Sequence, residues 1–384
     1  MSLPTQRLTP ISTPFLRFTW RSLIWGTGLS GLLIFFSSLS AQALDLRVAI
    51  RKAVSSVRVG SSTPALIKDG GGRTLGTVDP LVPLTASASG RNVRVGDWSA
   101  SQITIDPQGD GVVWIGDRWY RGKTRLIRQG SGVTAVNVVN IEQYLYSVVG
   151  SEAIPAWPME ALKTQAVAAR TFAIYKSTAE SNRYYDLDTT TATQVYKGME
   201  NEYVSTVDAV NATQGQVMTY NGRVILAAFH ASSGGHTENV EDVWSSPLPY
   251  LRAVVDFDQN APVFQWSKTF SVGELSQLIG GVGRIRSLVP EQTTPLGRIV
   301  SMRVVGSGGS KRLSGAKLRQ ALKLRSTLFT VADLGSSFVI NGRGSGHGLG
   351  LSQWGAFGLA QQGKTYDQIL PHYYQNAQLT ALNR

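Results

Sequence analysis

The sequence predicts a β-rich α+β fold with a central alanine-rich helix and an all-β region at its N-terminal end. Short β-prone runs, separated by clusters of Gly, Pro, Asp and Ser, fill residues 44–137. An alanine-rich helical pattern follows at residues 158–176, and strand and helix patterns then mix irregularly, without the βαβ alternation of a doubly wound sheet. With 42% hydrophobic residues, the chain can bury a sizeable core. It has no cysteine, which excludes disulfides, thiolate metal sites and cysteine nucleophiles.

The first 43 residues have the pattern of an export signal. Three arginines precede an apolar run at residues 23–36, and Ala41 and Ala43 then supply the small side chains of a cleavage site. We therefore expect cleavage after Ala43 and a location in the periplasm or the cell wall. The alternative is an uncleaved membrane anchor, because no charged residue occurs from 22 to 44.

The exported chain is expected to be basic. Removing residues 1–43 lowers the net charge from +12 to +9, with histidine counted as neutral. For an exported protein this balance favours anionic envelope polymers or lipid headgroups as partners. No arginine-rich run or nucleic-acid motif occurs in the sequence, so we expect no nucleic-acid partner.

The changes of pattern along the chain define its expected organisation. A β-rich region spans residues 44–137, and a core spans residues 138–384 because the first helical pattern begins there. Residues 271–335 are expected to form a mixed insertion within the core. In this insertion, helical stretches at residues 272–279 and 315–322 alternate with strand signals.

Two helices are expected at the start of the core. Asn140 can cap a short helix that ends at Val148, and a loop at residues 150–157 follows. Pro158 then fits the first position of a second helix, because its missing N–H would be unpaired there anyway. Mostly small apolar side chains recur on one face of this helix, which predicts a closely packed, buried spine: Met159, Leu162, Ala166, Ala169 and Ala173.

Two local signals define elements nearer the C-terminus. Asn221-Gly222 interrupts a β-rich run and predicts a hairpin. Thr365 and Gln368 have the spacing of a capping box and predict the start of a last helix, which runs toward Tyr373.

The residues that could carry chemistry are spread along the chain. All four histidines lie after residue 229, whereas Glu152, the most conspicuous loop acid, lies well before them. The fold must therefore assemble any active site from the Glu152 loop, residues 230–244 and residues 342–355. Apolar neighbours would raise the pKa of Glu152 and keep its carboxyl protonated, as a general acid requires, while a nearby helix start acts in the opposite direction. A capping or salt-bridging acid is the alternative.

His230 and His236 flank a Ser-Ser-Gly-Gly run. We expect a tight turn here, with backbone N–H groups and the hydroxyls of Ser232 and Ser233 bound to a polar substrate. A histidine-based metal hydrolase is an alternative, although the spacing of the HExxH zinc motif is absent. A serine nucleophile is a weaker alternative, because the sequence lacks a Gly-x-Ser-x-Gly elbow.

Glycine occupies every second position from 342 to 350. In an extended strand this spacing places the glycines on one face and Arg343, Ser345 and His347 on the other. The bare face would admit a substrate, and close packing alone is the alternative. The spacing does not match a dinucleotide fingerprint, and no P-loop occurs.

Five segments in order between residues 144 and 374 carry a recognisable pattern: YLYSVVGSEAIPAWPMEALKTQAVAARTFA, TQVYKG, FHASSGGHTENVEDVW, PYL and GRGSGHGLGLSQWGAFGLAQQGKTYDQILPHYY. Upstream, YRG at residues 120–122 and VNVVNIEQYL extend it. Together these segments resemble the SpoIID/LytB family of exported peptidoglycan proteins. The expected export signal agrees with this resemblance independently.

The resemblance implies lytic transglycosylase activity, which cleaves the bond between N-acetylmuramic acid and N-acetylglucosamine without water and leaves a 1,6-anhydro sugar. The acid of the family matches Glu152, although Ile154 stands where the family often has methionine. One carboxyl suffices, because the C6 hydroxyl of the sugar is the nucleophile, whereas hydrolytic glycosidases generally need two carboxyls. No cofactor is expected. Some relatives hold a metal with cysteine ligands near the Ser-Ser-Gly-Gly turn, and the absence of cysteine here puts that feature in doubt.

The resemblance also implies partners and further site residues. Glycan strands of peptidoglycan are the expected partner, and the alternative function is a non-catalytic enhancer that binds glycan and stimulates an N-acetylmuramoyl-L-alanine amidase. Gln165 and Arg170 either orient the Glu152 loop or have a plain structural role. The expected substrate-binding residues, polar groups for sugar hydroxyls and flat aromatic faces for sugar rings, are Trp157, Gln165, Arg170, His230, Ser232, Ser233, Tyr250, Arg343, Ser345, His347, Gln353 and Trp354.

Overall fold

The protein is described from a computed structural model that covers residues 44–179, 182–189, 193–244 and 246–382. The expected export signal, residues 1–43, lies outside these ranges. Within them, no helix combines the length and the apolar character that a membrane span needs. Strands and helices mix irregularly along the described chain, which confirms the predicted β-rich α+β class.

Strands build the N-terminal region, as its short β-prone runs predict. They are β1 (Asp45–Val54), β2 (Ser56–Ser61), β3 (Ala65–Asp69), β4 (Thr74–Val78), β5 (Leu84–Ser89), β6 (Asn92–Val95), β7 (Trp98–Ala100), β8 (Gln102–Pro107), β9 (Val113–Ile115), β10 (Arg118–Tyr120), β11 (Lys123–Gln129) and β12 (Gly132–Asn140). A later short strand, β13 (Leu187–Asp188), pairs in parallel with β1. One sheet has the order β13-β1-β12-β11-β8-β3-β4, and another has the order β10-β9-β2-β5-β6-β7.

Two helices, α1 (Ile141–Glu152) and α2 (Met159–Ala179), follow the last N-terminal strand. The side chain of Asn140 accepts hydrogen bonds from the backbone N–H groups of Glu142 and Gln143, as its capping role predicts. The first helix does not end at Val148, as we expected, but continues to Glu152. Its last turn packs Val149 and Gly150 into the interior, and this burial extends the helix beyond the predicted end.

The N-terminal strands and the two helices share one hydrophobic core. Apolar side chains of β1 and β12 pack with Tyr144 and Leu145 of α1 and with Ala166 and Ala169 of α2. Helix α2 is buried from Ala161 to Ile174 apart from Lys163, which confirms its expected place as a buried spine. Met159, which we expected on the buried face, is 37% exposed instead, because it lies in the first turn of the helix, before the buried stretch begins. Small side chains on this helix let its neighbours approach closely, so α2 forms a fixed support for the elements around it.

The remaining elements of the core include the predicted hairpin and the predicted last helix. Asn221 and Gly222 have positive φ angles of 49° and 73° between two paired strands, Gln216–Tyr220 and Arg223–Val224, as a two-residue hairpin turn requires. Thr365 and Gln368 form the expected capping box. These elements are α3 (Val204–Ala212), β14 (Gln216–Tyr220), β15 (Arg223–Val224), β16 (Phe229–His230) and α4 (Val240–Val243), followed after the insertion by β23 (Leu351–Ser352), α7 (Gln353–Gln361), α8 (Tyr366–Tyr373) and β24 (Gln378–Ala381).

The insertion has a hydrophobic core of its own, formed between two small three-stranded sheets. Its elements are β17 (Gln265–Ser271), α5 (Val272–Ile279), β18 (Ile285–Thr293), β19 (Ile299–Gly306), β20 (Gly309–Ser314), α6 (Gly315–Ala321), β21 (Phe329–Asp333) and β22 (Ser337–Arg343). The pairing of β17 with β22 closes this unit, since Gln265 lies opposite Arg343 and Ser271 lies opposite Ser337. The two sheets have the orders β17-β22-β21 and β18-β19-β20. Strand β17 ends at residue 271, where the expected insertion begins, and β22 begins at residue 337, two residues after the insertion's expected end.

The alternating glycines do not form the extended strand that we expected over residues 342–350. Strand β22 ends at Arg343, and the backbone then turns through glycines with positive φ angles, such as 117° at Gly346 and 81° at Gly348. A Cβ atom on Gly346 would lie 2.5 Å from the Cβ of His230, and one on Gly348 would lie 2.3 Å from the Cζ of Arg298. Glycine is therefore required at these positions because the backbone adopts left-handed φ angles and because neighbouring atoms leave no room for a Cβ atom.

Candidate functional site

Glu152, the expected acid, is the last residue of helix α1. Its Oε1 accepts a hydrogen bond of 2.8 Å from the backbone N–H of Val195. The side chain lines a cavity of about 740 Å³, and it is the sole carboxylic acid among the described residues that line it. The fold therefore presents one acid to a space large enough for sugar rings.

Burial raises the pKa of Glu152 above its ordinary value, while the hydrogen bond from Val195 and the positive charge of Lys197 act in the opposite direction. The position of the residue at the C-terminal end of α1 adds to the rise, because the negative end of the helix dipole disfavours a carboxylate. Burial prevails among these effects. The protonated carboxyl, which a general acid needs, is favoured by its surroundings.

The cavity brings together the three segments that the sequence analysis singled out. Residues from the segment around His230 and from the glycine-rich segment meet Glu152 there, together with one side of α2. The described lining residues are Glu152, Phe172, Lys176, Thr193, Val195, Leu226, Ala228, Phe229, His230, Ala231, Trp244, Arg319, Ser345, Gly346, His347 and Gln353. Of the expected substrate-binding residues, His230, Ser345, His347 and Gln353 are in this set.

His230 lines the cavity, and one of its ring nitrogens is a buried hydrogen-bond acceptor without a partner among the described residues. Its Nδ1 lies 3.1 Å from the backbone oxygen of Leu349, which can only accept a hydrogen bond, so Nδ1 carries the ring proton. Its Nε2 then bears a lone pair, and no described protein atom hydrogen-bonds to this nitrogen. Burial lowers the pKa of His230 well below its ordinary value, with the charges of His347 and Arg298 acting in the same direction. The ring is therefore neutral near pH 7.

His347 uses both ring nitrogens to fix the backbone around it. Its Nε2 lies 3.0 Å from the backbone oxygen of Phe229, and its Nδ1 accepts a hydrogen bond of 3.0 Å from the N–H of Leu349. Burial lowers the pKa of His347 to about 4. The ring packs 5.1 Å from His230 and 5.4 Å from Trp244 between centroids. It thus lines the cavity through its ring surface rather than through a free nitrogen.

Two glutamine side chains hold the end of α1 in place. The amide of Gln353 donates to the backbone oxygen of Glu152 at 3.1 Å and to the Oε1 of Gln165 at 3.2 Å. Gln165 is buried in α2, so the spine helix supports Gln353, and Gln353 supports the residue that carries the acid. This arrangement matches the orienting alternative for Gln165.

Ser232 and Ser233 are placed differently from our expectation that they bind substrate. Both are buried, and their hydroxyls donate hydrogen bonds of 2.5 Å to Asp258 and Asp256, respectively. The N–H groups of the two following glycines also donate to Asp258. Burial raises the pKa of Asp256, with the charge of Asp258 as the next cause. The tight turn exists, but its polar groups bind two buried acids of the chain itself.

The other expected site residues lie outside the cavity lining. Arg170 is fully buried and pairs with Glu142 at 2.6 Å, which matches the structural alternative for this residue. Tyr250 packs in a core cluster, and its hydroxyl accepts a hydrogen bond from Leu226. Trp157 and Trp354 pack edge to face on each other, with ring centroids 5.1 Å apart. Arg343 lies over the ring of Phe264 and borders a separate cavity.

Several lining residues were missed from the sequence. Trp244, which ends the helix-containing stretch after His236, leaves 42% of its surface exposed at the cavity. Its position at the end of a matched segment was the available signal. Arg319 belongs to helix α6 of the insertion and carried no motif. Within the described ranges, no group of three or more acidic, histidine or cysteine side chains is placed to hold a metal ion.

Comparison with known proteins gives matches over most of the described chain. The model of a family described as "Stage II sporulation protein" matches residues 129–220, and a "Domain of unknown function (DUF8618)" matches residues 250–350. The chain is 36% identical over 280 residues to an uncharacterised protein of Brachyspira hyodysenteriae, covering 72% of this chain and 76% of the relative. It is 35% identical over 269 residues to Stage II sporulation protein D of Bacillus subtilis, covering 64% and 76%. It is 33% identical over 292 residues to an amidase enhancer of Bacillus subtilis, covering 62% of this chain and 40% of that relative.

Proposed function

Because the chain belongs to the SpoIID/LytB family, which includes Stage II sporulation protein D, we propose that it is a cell-wall lytic transglycosylase. Its substrate is the glycan strand of peptidoglycan, and it cleaves the bond between N-acetylmuramic acid and N-acetylglucosamine. The observation that carries the proposal is the placement of Glu152, a single acid with a raised pKa in a cavity lined by polar and aromatic groups.

The single acid supports an intramolecular reaction. The protonated carboxyl of Glu152 donates its proton to the glycosidic oxygen as the bond to C1 of the muramic acid breaks. The resulting carboxylate then accepts the proton of the C6 hydroxyl, whose oxygen bonds to C1 and closes the 1,6-anhydro ring. No water is consumed, and the carboxyl returns to its protonated form. A hydrolase would need a second carboxyl or an activated water.

Neighbouring groups of the cavity orient the substrate in this proposal. The ring of His230 forms part of the cavity wall and is neutral, so it adds no positive charge next to the acid. Ser345 supplies a hydroxyl, and Gln353 binds the backbone of Glu152. The exposed ring of Trp244 offers a flat face for a sugar. We further propose that the protein acts after export, in the periplasm or the cell wall, where this polymer lies.

The experiment that tests the proposal is product analysis. Purified protein is incubated with intact sacculi and with glycan strands stripped of peptides, and anhydro ends are identified by mass spectrometry. The wild type should release them, and Glu152→Gln should lower the rate by about 10² to 10⁴-fold. Glu200→Gln makes the same chemical change at an exposed position outside the cavity and should leave the rate unchanged. Equal products from the wild type and Glu152→Gln would end the assignment of Glu152.

A second candidate function rests on the similarity to the amidase enhancer. In this case the protein binds glycan and stimulates a separate N-acetylmuramoyl-L-alanine amidase without cleaving a sugar bond. The two functions differ in their dependence on Glu152. An enhancer would release no anhydro ends alone, and the wild type and Glu152→Gln would raise the rate of the amidase equally.

A further inference from the structure

A second cavity, of about 440 Å³, adjoins the cavity that contains Glu152. Trp244, Arg319 and His347 line both, so the two cavities lie side by side, and together they are called the groove. The second cavity is bounded on its far side by helix α6 and the residues that follow it, and thus by the insertion. Its described lining residues are Val243, Trp244, Ala316, Arg319, Gln320, Lys323, Leu324, Thr327 and His347.

The groove is cationic at its insertion end. Arg319 and Lys323 lie there, and among the described residues that line the two cavities the sole acid is Glu152, which burial biases toward its neutral form. Arg319 is partly buried, and within the described part of the chain no carboxylate lies within salt-bridge distance of its guanidinium. Burial lowers the pKa of Arg319, as expected for a cation that loses water without gaining an anion.

A partly desolvated guanidinium at the wall of a groove is well suited to a carboxylate, which it can bind through two parallel hydrogen bonds. The exposed Lys323 lies just beyond the end of α6 and adds a second charge on the same cavity. Trp244, at the junction of the two cavities, can stack on the sugar that bears the carboxylate. Muramic acid is the peptidoglycan sugar with such a group, a lactyl carboxylate that is free when the stem peptide is absent.

We propose that Arg319 and Lys323 form a subsite that binds a carboxylate of the glycan strand, so that the insertion extends the substrate groove of the core. This inference rests on the proposed function for the identity of the polymer. The carboxylate has two possible sources, the lactyl group of peptide-free muramic acid or an acidic residue of an attached stem peptide. The subsite assigns a role to a region whose matching family model carries no function.

Binding measurements test the subsite independently of turnover. Purified Glu152→Gln protein is titrated with three probes: peptide-free strands, the same strands with the lactyl carboxylates converted to neutral methyl amides, and peptide-bearing strands. Peptide-free strands should bind about tenfold more tightly than amidated ones if a charge-assisted pair is lost on amidation. Adding Arg319→Gln should abolish that difference. Adding Lys317→Gln, which removes an exposed charge of the same helix outside both cavities, should retain it.

The three probes also identify the source of the carboxylate. Tight binding of peptide-free strands alone assigns the lactyl group, and tight binding of peptide-bearing strands alone assigns a peptide carboxylate. Equally tight binding of both shows that the subsite accepts either carboxylate. Lys323→Gln, a change at an exposed position, should weaken binding of the acidic strands about threefold and guards against misfolding of the Arg319 variant.

The subsite would be overturned if amidated strands bind as tightly as both acidic probes, or if Arg319→Gln and Lys317→Gln cause equal losses of affinity. Binding of none of the probes would overturn it as well. Because binding is measured in the Glu152→Gln protein, a wild type that releases no anhydro ends would refute the proposed activity and leave this result standing.

Discussion

Two buried arginine–glutamate pairs hold different parts of the molecule, and they differ in how well they are hydrogen-bonded. Arg170 of the spine helix donates to both oxygens of Glu142 and to backbone oxygens of the segments around α3 and β14. Arg298 lies between β18 and β19 of the insertion and contacts the core. Its Nε lies 3.4 Å from Oε1 of Glu238, and its Nη2 donates to the backbone oxygen of Ser233. No described protein atom hydrogen-bonds to its Nε or Nη1, or to the Oε2 of Glu238.

The difference shows that the contribution of a buried ion pair to stability depends on its hydrogen-bond geometry and not on burial alone. Burial lowers the pKa of Arg298 to about 10 and raises the pKa of Glu238, although each residue lies next to an opposite charge. For the pair of Arg298 and Glu238, the cost of desolvating the two charges therefore exceeds their mutual attraction. The scaffold that supports Glu152 is tied by a well-satisfied pair, and the insertion is joined to the core by a poorly satisfied one.

Removal of Arg170 should have the largest effect on stability. Arg170→Met leaves the buried Glu142 without a cation and should lower the free energy of unfolding by about 3–5 kcal/mol, measured by urea denaturation. The double variant Arg170→Met with Glu142→Leu removes both charges and should recover most of this loss. A loss below about 1 kcal/mol for the single variant would contradict the view that this pair fixes the scaffold.

Removal of Arg298 should cost less. Burial raises the pKa of Glu238, so this carboxyl takes up a proton more readily than an exposed one when its partner is lost. We therefore expect Arg298→Met to lower the free energy of unfolding by about 1–3 kcal/mol. Arg312→Met, which breaks an exposed pair of the same insertion, is the control and should change it by no more than about 0.5 kcal/mol. If Arg298→Met costs as much as Arg170→Met, the comparison between the two pairs fails.

Neutralising Glu238 should have a smaller, pH-dependent effect. The folded pKa of Glu238 is raised above its ordinary value of 4.5, so the wild type loses stability as pH rises from about 4.5 through the folded pKa. Glu238→Gln retains an acceptor for the hydroxyl of Thr294, so its free energy of unfolding should lie within about 1 kcal/mol of that of the wild type. As pH rises, the free energy of unfolding of Glu238→Gln should increase relative to that of the wild type. Unfolding curves at pH 4 and pH 7 check the sign, and a shift the other way would contradict it.

What the sequence could predict follows the range of each interaction. The Asn140 cap, the Asn221-Gly222 turn and the Thr365 capping box depend on neighbours a few residues away, and the structure has all three. The end of α1 was predicted too early, because its last turn is stabilised by burial against distant segments. The sequence thus predicts the fold class and the local elements, but it does not predict where helix α1 ends.

The candidate site shows the same limit more sharply. Its three segments were identified, and Glu152, His230 and Gln353 do meet at one cavity. The serine hydroxyls were assigned to substrate because nothing local indicates Asp256 and Asp258, which lie more than twenty residues away and bind them. Arg319 was missed because an arginine on an ordinary helix gives no signal until the fold places it at a groove. The functions assigned to these residues stay predictions.

A third glutamate, Glu152, is partly buried and has no arginine partner among the described residues. Its neutralisation should have the smallest effect of the series. Because its folded pKa is raised above 4.5, the wild type loses stability as pH rises from about 4.5 through the folded pKa. Glu152→Gln removes this cost and keeps an acceptor for the N–H of Val195. We expect it to raise the free energy of unfolding at pH 7 by about 1 kcal/mol or less, with no gain at pH 4.

Urea denaturation at both pH values measures this gain, with Glu200→Gln as the exposed control that should show none. If Glu152→Gln both raises the free energy of unfolding and abolishes product release, Glu152 is held for its chemistry in surroundings that cost stability. If Glu152→Gln instead destabilises the protein at pH 7, the carboxylate is favoured by its surroundings. The physical reason for a protonated acid at this position would then be lost, however close the glycan lies.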